Sequence, residues 1–238
     1  IVLMGGREFW SNGIHLNHIE AALSPADESW RNINAMNDLV RAIITTTGRI
    51  TIAALQGNAG AGGVFLSLAA DFIYARESVI LNPHYKNMGN LYGSEYWTYL
   101  LPRRMGQYQV DSCMHSRLPI GAREARQMKL IDDCFGGDLV NFKNKIVHIV
   151  ETLAQSPDFQ KFIERKQARR QRHEQQRSLQ SYRDEELEKM KLNFYGFDPS
   201  YHVARYNFVY KIPQGWTPRY LARHRRLKAQ ALRDDNSS

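Results

Sequence analysis

A glycine-dense turn at residues 57–63 is the feature that most constrains the fold of this chain. It follows a run of β-branched and apolar residues at 50–55, which is typical of a buried strand, and it precedes an apolar helical segment at 64–70. Another short strand is predicted at 72–75. The order of strand, glycine turn, helix and strand predicts an α/β fold, in which functional groups gather in the turns at strand ends.

Two phosphate-binding interpretations of this turn are excluded. A Walker-type phosphate loop has Lys and then Ser or Thr after its last glycine, whereas Val64 and Phe65 follow Gly63. A dinucleotide-binding turn needs a third glycine at a fixed distance, which is missing after Gly60 and Gly62. Two interpretations stay open on this segment alone. The turn is either an oxyanion hole for an acyl group, because a helix N-terminus offers free N–H groups, or only a tight packing turn.

Composition and charge limit the class of protein. The 238 residues are 43% hydrophobic, which is enough for one domain with its own core plus an appendage. No stretch reaches the roughly 20 uncharged apolar residues of a bilayer span, so no membrane contact is expected. Cys113 and Cys134 have no metal-binding spacing and cannot form a disulfide framework, which favours the cytoplasm. Nearly all of the net charge of +8 lies after Val150, and it indicates either an anionic partner or a solvated helix face.

The chain divides into two predicted regions. Residues 1–150 carry the α/β pattern, including an amphipathic helix predicted at 27–47. Residues 151–238 form a predicted helical extension that is basic and rich in aromatic residues, with a long helical stretch at 159–190 and a basic run at 223–228. Because the chain opens directly on a strand-like apolar run, we expect it to be the C-terminal part of a longer protein.

Several short motifs, taken in order, resemble the crotonase (enoyl-CoA hydratase/isomerase) superfamily. They lie at residues 9–16, 49–57, 61–63, 71–75, 82–83, 100–103 and 122–132. The first is one residue longer than the family's Phe-x-x-Gly-x-Asp-Leu and has His15 in place of the Asp. The resemblance implies a crotonase-like spiral of ββα repeats, followed here by the helical C-terminal extension. It also implies that the backbone N–H groups of Ile14 and Gly62 form an oxyanion hole for the thioester carbonyl of an acyl-CoA.

The side chains expected around that hole differ from those of the hydratases. In the alignment with the family, the first hydratase glutamate falls on Phe65 and the second on His84 or Tyr85, so addition of water to an enoyl-CoA is not expected. Glu95 lies nearby in an aromatic segment. A carboxylate in such surroundings has a raised pKa and can move a proton at neutral pH. The alternative is that Glu95 only caps a helix starting near Ser94.

Three further segments, at residues 83–89, 93–97 and 201–211, resemble the C-terminal module of the HypX (HoxX) family of NiFe-hydrogenase maturation proteins. That resemblance implies a lyase that converts formyl-CoA to carbon monoxide and coenzyme A, with no metal of its own, and supplies the CO of the NiFe active site. It also implies a formyltransferase-like domain earlier in the same protein, which takes the formyl group from 10-formyl-tetrahydrofolate, and hydrogenase maturation proteins as partners.

The same resemblance implies roles for five residues. Tyr85 and Glu95 are the expected acid–base pair, in either order, and His84 is the expected supporting residue. Loss of CO from formyl-CoA needs a base for the formyl proton and an acid for the departing thiolate, so such a pair beside one oxyanion hole suffices. Arg205 and Lys211 are the expected contacts of the CoA phosphates.

Two other functions stay open at this stage. The same oxyanion hole could serve another acyl-CoA reaction, either thioester hydrolysis or decarboxylation, and this reaction also needs Tyr85 or Glu95. A non-catalytic crotonase scaffold that binds RNA or a protein through its basic helices needs neither residue, although no nucleic-acid-binding module is recognisable. His15 and His18 are three residues apart, but no third ligand stands at a suitable distance, so no metal site is expected.

Overall fold

The computed structural model describes residues 1–213, and the basic run predicted at 223–228 lies outside them. Within the described residues there are eight strands: Val2–Leu3 (β1), Phe9–Ser11 (β2), Ile52–Leu55 (β3), Asn58–Gly60 (β4), Phe72–Arg76 (β5), Ile80–Asn82 (β6), Ile120–Gly121 (β7) and Asp133–Phe135 (β8). The α-helices are Leu16–Glu20 (α1), Pro25–Thr45 (α2), Gly62–Leu68 (α3), Trp97–Leu100 (α4), Gln107–Ser116 (α5), Ala122–Gln127 (α6), Leu139–Ala154 (α7), Phe159–Gln176 (α8), Leu179–Tyr195 (α9) and Ser200–Val209 (α10). A short 3₁₀ helix follows α4.

The strands form two four-stranded sheets. One has the order β1-β3-β5-β8 and is parallel throughout. The other has the order β2-β4-β6-β7, in which only β7 runs antiparallel to its neighbour. Strands β1 to β6 therefore enter the two sheets alternately, β7 adds to the second sheet and β8 returns to the first, with helices between them. The predicted α/β class and the spiral of ββα repeats are both confirmed.

The glycine turn carries the chain from β3 of one sheet through β4 of the other and into α3. All four residues of Ile52–Leu55 are buried, as expected for a parallel strand covered on both faces. The chain then turns at Gly57, where a β-carbon would lie 2.7 Å from the backbone nitrogen of Phe9. Only glycine allows strand β2 to pass this close. The packing of the turn thus brings the end of β2 against the start of α3.

Two helix boundaries differ from the prediction. Helix α2 begins at Pro25 rather than near residue 27, because the Ser24 side chain accepts a hydrogen bond from a first-turn N–H and a proline suits the first position. The helical stretch predicted at 159–190 is two helices, α8 and α9. Arg177 is extended between them, and Ser178 caps α9 by accepting a hydrogen bond from the Ser181 backbone N–H. None of the helices within residues 1–213 has the length and apolarity that a bilayer crossing requires.

The helices of the extension fold back onto the core and are held there by buried polar contacts. Lys166 donates to Asp71 over 2.5 Å, and both side chains are more than nine-tenths buried. The hydroxyls of Tyr201 and Ser29 are 2.7 Å apart in the interior. The predicted boundary at residue 150 falls inside α7, and the division into two domains stays a prediction.

Replacing Asp71 with Asn is expected to destabilise the protein, because the Lys166 ammonium would stay buried without its counterion. Breaking a buried ion pair from one side costs about 3 kcal/mol or more. Urea unfolding of the intact protein would measure this change. Glu77→Gln, which breaks the exposed pair with Arg123, is the control and should cost less than about 0.5 kcal/mol. Equal effects of the two substitutions would contradict an anchoring role for the buried pair.

Candidate active site

A cavity of about 1570 Å³ lies at the start of α3 and collects the turns predicted to carry function. The turn after β2, the glycine turn before α3 and the loop after β6 form its walls, and residues of α10 cover one side. Six of the seven residues predicted for the site line this cavity, and Arg205 does not; the six are Ile14, Gly62, His84, Tyr85, Glu95 and Lys211.

The predicted oxyanion hole is formed by two backbone segments in contact. Gly13 has a left-handed φ of +80°, and a β-carbon on it would lie 3.1 Å from the Gly62 backbone nitrogen. Gly62 is the first residue of α3, so its N–H has no partner within the helix. Within the described residues, neither this N–H nor that of Ile14 has a hydrogen-bond acceptor. Two free N–H groups are therefore available at the cavity wall.

Glu95 places its carboxylate directly beside this hole. The side chain is 1% exposed, and its Oε1 would be 2.2 Å from a β-carbon on Gly62. Its Oε2 accepts hydrogen bonds from the Tyr85 hydroxyl (2.6 Å) and the Ser94 backbone N–H (3.2 Å). Burial raises the pKa of Glu95 to about 7, against the opposing effect of these hydrogen bonds. The carboxylate can therefore gain or lose a proton near neutral pH.

The capping alternative for Glu95 is wrong. Helix α4 begins at Trp97, and its N-cap residue is Tyr96, which makes no side-chain capping bond. Glu95 and Tyr96 instead both adopt left-handed backbone conformations, with φ of +60° and +59°. Each such conformation costs a non-glycine residue about 1 kcal/mol or more. This backbone turn directs the Glu95 carboxylate back toward Gly62 and away from the helix.

Tyr85 stands beside Glu95 in a closely packed slot. Its ring stacks on Phe65 with 5.3 Å between ring centroids, and Gly93, at a φ of +91°, leaves room for it, since a β-carbon there would be 2.0 Å from the ring. Burial and the neighbouring Glu95 carboxylate raise the pKa of Tyr85 well above its usual value. The phenol therefore stays protonated and is a hydrogen-bond donor. The residue aligned with the first hydratase glutamate, Phe65, thus stacks on one of the two residues aligned with the second.

His84 lines the same cavity and is 3% exposed. Burial lowers its pKa, so the imidazole is neutral at pH 7. Neither ring nitrogen has a hydrogen-bond partner of good geometry among the described residues, and neither bonds to Tyr85 or Glu95. The structure therefore places His84 at the wall of the cavity, without a hydrogen bond to Tyr85 or Glu95.

A buried carboxylate of the extension, Glu186, holds the loop that carries Glu95. One oxygen accepts from the Thr98 backbone N–H (2.9 Å) and hydroxyl (2.6 Å). The other accepts from the Tyr96 N–H (2.9 Å) and the Ser94 hydroxyl (3.3 Å). Burial raises the pKa of Glu186 to about 7, and the charge of Glu95 contributes to that increase. Glu186 thus stabilises the strained turn at Glu95 and Tyr96 through these hydrogen bonds.

Asn37 of α2 completes this support. Its Oδ1 accepts from the Glu95 backbone N–H at 2.8 Å and lies 3.0 Å from the Ser94 hydroxyl, whose single proton it shares with Glu186. Sequence analysis missed both Asn37 and Glu186. A signal for Glu186 was present, because it lies on the helical stripe of buried residues formed by Leu179, Met190 and Phe194. A carboxylate on an apolar stripe indicates a buried polar contact.

The two predicted CoA contacts differ in their surroundings. Lys211 lines the cavity, and its ammonium lies 4.4 Å from the ring centroid of Phe208. Arg205 is 4% exposed and is not part of the cavity wall; its Nε donates to Glu20 over 2.6 Å. The Arg205 guanidinium thus anchors α10 to α1. We therefore keep only Lys211 as a candidate contact of the CoA phosphates.

Comparison with known proteins identifies the family of the chain. A model of the family "Enoyl-CoA hydratase/isomerase" matches residues 1–200. The chain belongs to this family. It is 56% identical over 229 residues to hydrogenase maturation factor HoxX of Bradyrhizobium diazoefficiens, covering 96% of this chain and 40% of that protein. The chain thus spans less than half the length of this relative.

Solved structures give the same result for the fold. The crystal structure of HypX from Aquifex aeolicus in complex with tetrahydrofolic acid matches with a TM-score of 0.90 at 53% identity, covering 94% of this chain and 40% of that one. Enoyl-CoA hydratase from Bacillus halodurans matches with a TM-score of 0.70 at 17% identity, covering 86% of this chain and 80% of that one. The second match shows the fold alone. The resemblance to the HypX and HoxX proteins is confirmed.

The raised pKa of Glu95 predicts a pH-dependent cost to stability. Between its usual pKa of 4.5 and the folded value of about 7, the folded protein holds a proton that the unfolded chain has released. Stability contributed by the protonated form is therefore lost as the pH rises through this range, and Glu95→Gln should remove that loss. We expect the variant to be more stable than the wild type by about 3 kcal/mol at pH 8 and equal to it at pH 4.

Urea unfolding of the intact protein at the two pH values would measure the difference. Glu188→Gln, an exposed substitution on α9, is the control and should have no pH-dependent effect. If the difference in stability between the variant and the wild type is the same at both pH values, Glu95 has an ordinary pKa.

Replacing Glu186 with Gln is expected to loosen the loop that carries Glu95. The amide has one acceptor oxygen in place of two, so the donors of Tyr96 and Thr98 would compete for it. Hydrogen exchange followed by mass spectrometry should show at least about tenfold faster exchange at these two amides. The same Glu188→Gln control should leave their exchange unchanged. Unchanged exchange in both variants would rule out Glu186 as the support of the loop.

Proposed function

We propose that this chain carries a formyl-CoA decarbonylase, a lyase that converts formyl-CoA to CO and coenzyme A. The observation that carries the proposal is the buried Tyr85–Glu95 pair, hydrogen-bonded over 2.6 Å and set against Gly62 at the free N–H groups of the cavity wall. An acid, a base and an oxyanion hole thus meet at one point. These three groups are what loss of CO from a formyl thioester requires.

The proposed reaction balances without an added reagent. The N–H groups of Ile14 and Gly62 hold the formyl oxygen. Glu95 takes the formyl proton, and the electron pair of that C–H bond stays on the carbon as the lone pair of CO. As the carbon–sulfur bond breaks, a lone pair of the formyl oxygen forms the third carbon–oxygen bond. The sulfur leaves with its bonding pair and receives a proton from the Tyr85 hydroxyl. Glu95 then returns its proton to Tyr85 through their hydrogen bond, which restores both groups.

The surroundings of the two residues favour this assignment of roles over the reverse. Tyr85, whose pKa is raised well above its usual value, keeps its proton until a thiolate forms nearby. Glu95, with a pKa of about 7, is ionised in a large fraction of molecules at neutral pH and can act as the base. His84 is neutral, and we assign it a supporting role in shaping the cavity wall.

The position of the carboxylate favours a one-carbon acyl group. Because Glu95 Oε1 lies against Gly62, it occupies the space next to the oxyanion hole in which a longer acyl chain would extend. The stacked rings of Phe65 and Tyr85 are both buried and close the space behind it. A formyl group needs no further room, since hydrogen is the only substituent on its carbonyl carbon besides sulfur.

Coenzyme A, the proposed acyl carrier, would enter through the open side of the cavity near Lys211, whose ammonium suits a phosphate. We further propose that the formyl group comes from 10-formyl-tetrahydrofolate through a formyltransferase-like domain of the same protein. The HoxX and HypX relatives, of which this chain covers 40%, support that arrangement. The CO would then serve assembly of the NiFe active site, together with other maturation proteins in the cytoplasm.

The expected result is CO release from formyl-CoA by the intact protein, trapped on reduced haemoglobin. Glu95→Gln and Tyr85→Phe should each lower the rate by about 10²-fold or more, the usual contribution of a general acid or base. Because the base must be ionised in the free protein, kcat/KM should rise with pH through about 7 in the wild type.

Two exposed substitutions, Glu188→Gln and Tyr108→Phe, are the matched controls and should leave the rate unchanged. Formate and coenzyme A in place of CO would identify a thioester hydrolase on the same hole. A folded protein that binds coenzyme A but forms neither product would contradict the proposed lyase.

A further inference from the structure

A second cavity, of about 740 Å³, lies between the core and the extension. It shares no lining residue with the candidate active site. Helix α3 separates the two, since Gly62 lines the active-site cavity and Leu68, at the other end of the helix, lines this one. We call it the basic cavity, because its wall includes seven Lys and Arg side chains.

Helix α8 contributes four basic or histidine side chains to the cavity. Along this helix the inward-facing stripe changes from apolar to basic and histidine residues. Phe159 and Ile163 begin the stripe and pack against the core. At the following helical positions stand Lys166, Arg170 and His173, with Arg169 beside them, and all four line the cavity. An inward stripe is normally apolar throughout, because burying charge is costly. Cations at these positions need negative charge nearby, and Asp71 and Glu174 supply part of it.

The core supplies four more cations. All seven Lys and Arg side chains together outnumber the carboxylates within ion-pair distance. The four from the core are Arg103, Arg104, Arg126 and Lys129. Among the described residues, four carboxylates lie within ion-pair distance of the seven cations: Asp71, Asp132, Asp133 and Glu174. Neither Arg103 nor Lys129 has a carboxylate partner in this part of the chain. Arg169 reaches only the Asp71 carboxylate, at 3.9 Å, which already pairs with Lys166. About three positive charges are left over.

The surplus positive charge affects the pKa of His173. Burial lowers its pKa, and the neighbouring guanidinium groups, including those of Arg103, Arg169 and Arg170, lower it further. Burial and the positive charge around it thus keep the His173 imidazole neutral. The cavity floor also carries a hydroxyl, because the Tyr99 oxygen lies within hydrogen-bond distance of both Arg170 and His173.

We propose that the basic cavity binds the diphosphate group of a small molecule. Three surplus positive charges match the charge of a diphosphate ester or pyrophosphate. An arginine guanidinium can also donate two parallel hydrogen bonds to phosphate oxygens. A volume of about 740 Å³ is that of a small-molecule site. Two sources share this chemistry, a free nucleotide and the nucleotide end of coenzyme A.

The test is calorimetric titration of the intact protein with pyrophosphate, ADP and coenzyme A. The double variant Arg103→Ala/Arg169→Ala should bind pyrophosphate at least tenfold more weakly than the wild type. Arg165→Ala, an exposed control on the same helix that does not line the cavity, should bind within twofold. Lys129→Ala removes an exposed ammonium and covers the case in which the double variant does not fold.

The ligand source follows from the other two titrations. If coenzyme A binding weakens together with pyrophosphate binding, the cavity holds the nucleotide end of coenzyme A. If ADP binding weakens and coenzyme A binding does not, the ligand is a separate nucleotide. No pyrophosphate binding by the wild type, or binding that neither Lys129→Ala nor the double variant weakens, would overturn the proposal. None of these titrations depends on release of CO.

Discussion

The buried carboxylate of Glu186 is the contact on which the candidate active site depends. Two consecutive non-glycine residues, Glu95 and Tyr96, are left-handed, and such a turn points several N–H groups to the same side. A carboxylate can accept from all of them, because its two oxygens offer about four acceptor positions. Its helix, α9, belongs to the extension. The extension is thus part of the site, since without it the donors of Tyr96 and Thr98 would lose their acceptor.

Two carboxylates buried around one loop also affect each other's ionisation. The pKa of Glu95 and that of Glu186 are each raised to about 7, in both cases mainly by burial. Because two like charges in a poorly solvated region repel, the pair is expected to release its protons in two separate steps. Glu186 has backbone donors on both oxygens, whereas Glu95 Oε1 has no hydrogen bond among the described residues. The carboxylate at the oxyanion hole is therefore the one free to exchange a proton with a bound molecule.

The fold was predictable from sequence because its signals are local. The apolar run of β3 and the glycines that follow it describe a buried strand and a close turn, and the structure has both. Tyr85 and Glu95 were predicted through the family resemblance, and they lie in contact. The contacts that were missed join distant segments: Glu186 is 90 residues from Tyr96, and the Glu20 that neutralises Arg205 is 185 residues away. No spacing rule links such pairs, so an arginine predicted to meet phosphate proved to be a buried anchor.

The helices of the extension place a carboxylate near one end of α3 and cations near the other. Its helix α9 places the Glu186 carboxylate behind the active-site loop, near the Gly62 end, while α8 places Lys166 and Arg170 near the Leu68 end. Low polarity around Glu95 is useful for proton transfer, because burial is what raises its pKa. Cations packed beside that carboxylate would lower its pKa again and remove its ability to exchange a proton near neutral pH. Lys166, Arg169 and Arg170 of α8 lie instead at the far end of α3. The extension can therefore support a base that works near neutral pH and an anion site without either weakening the other.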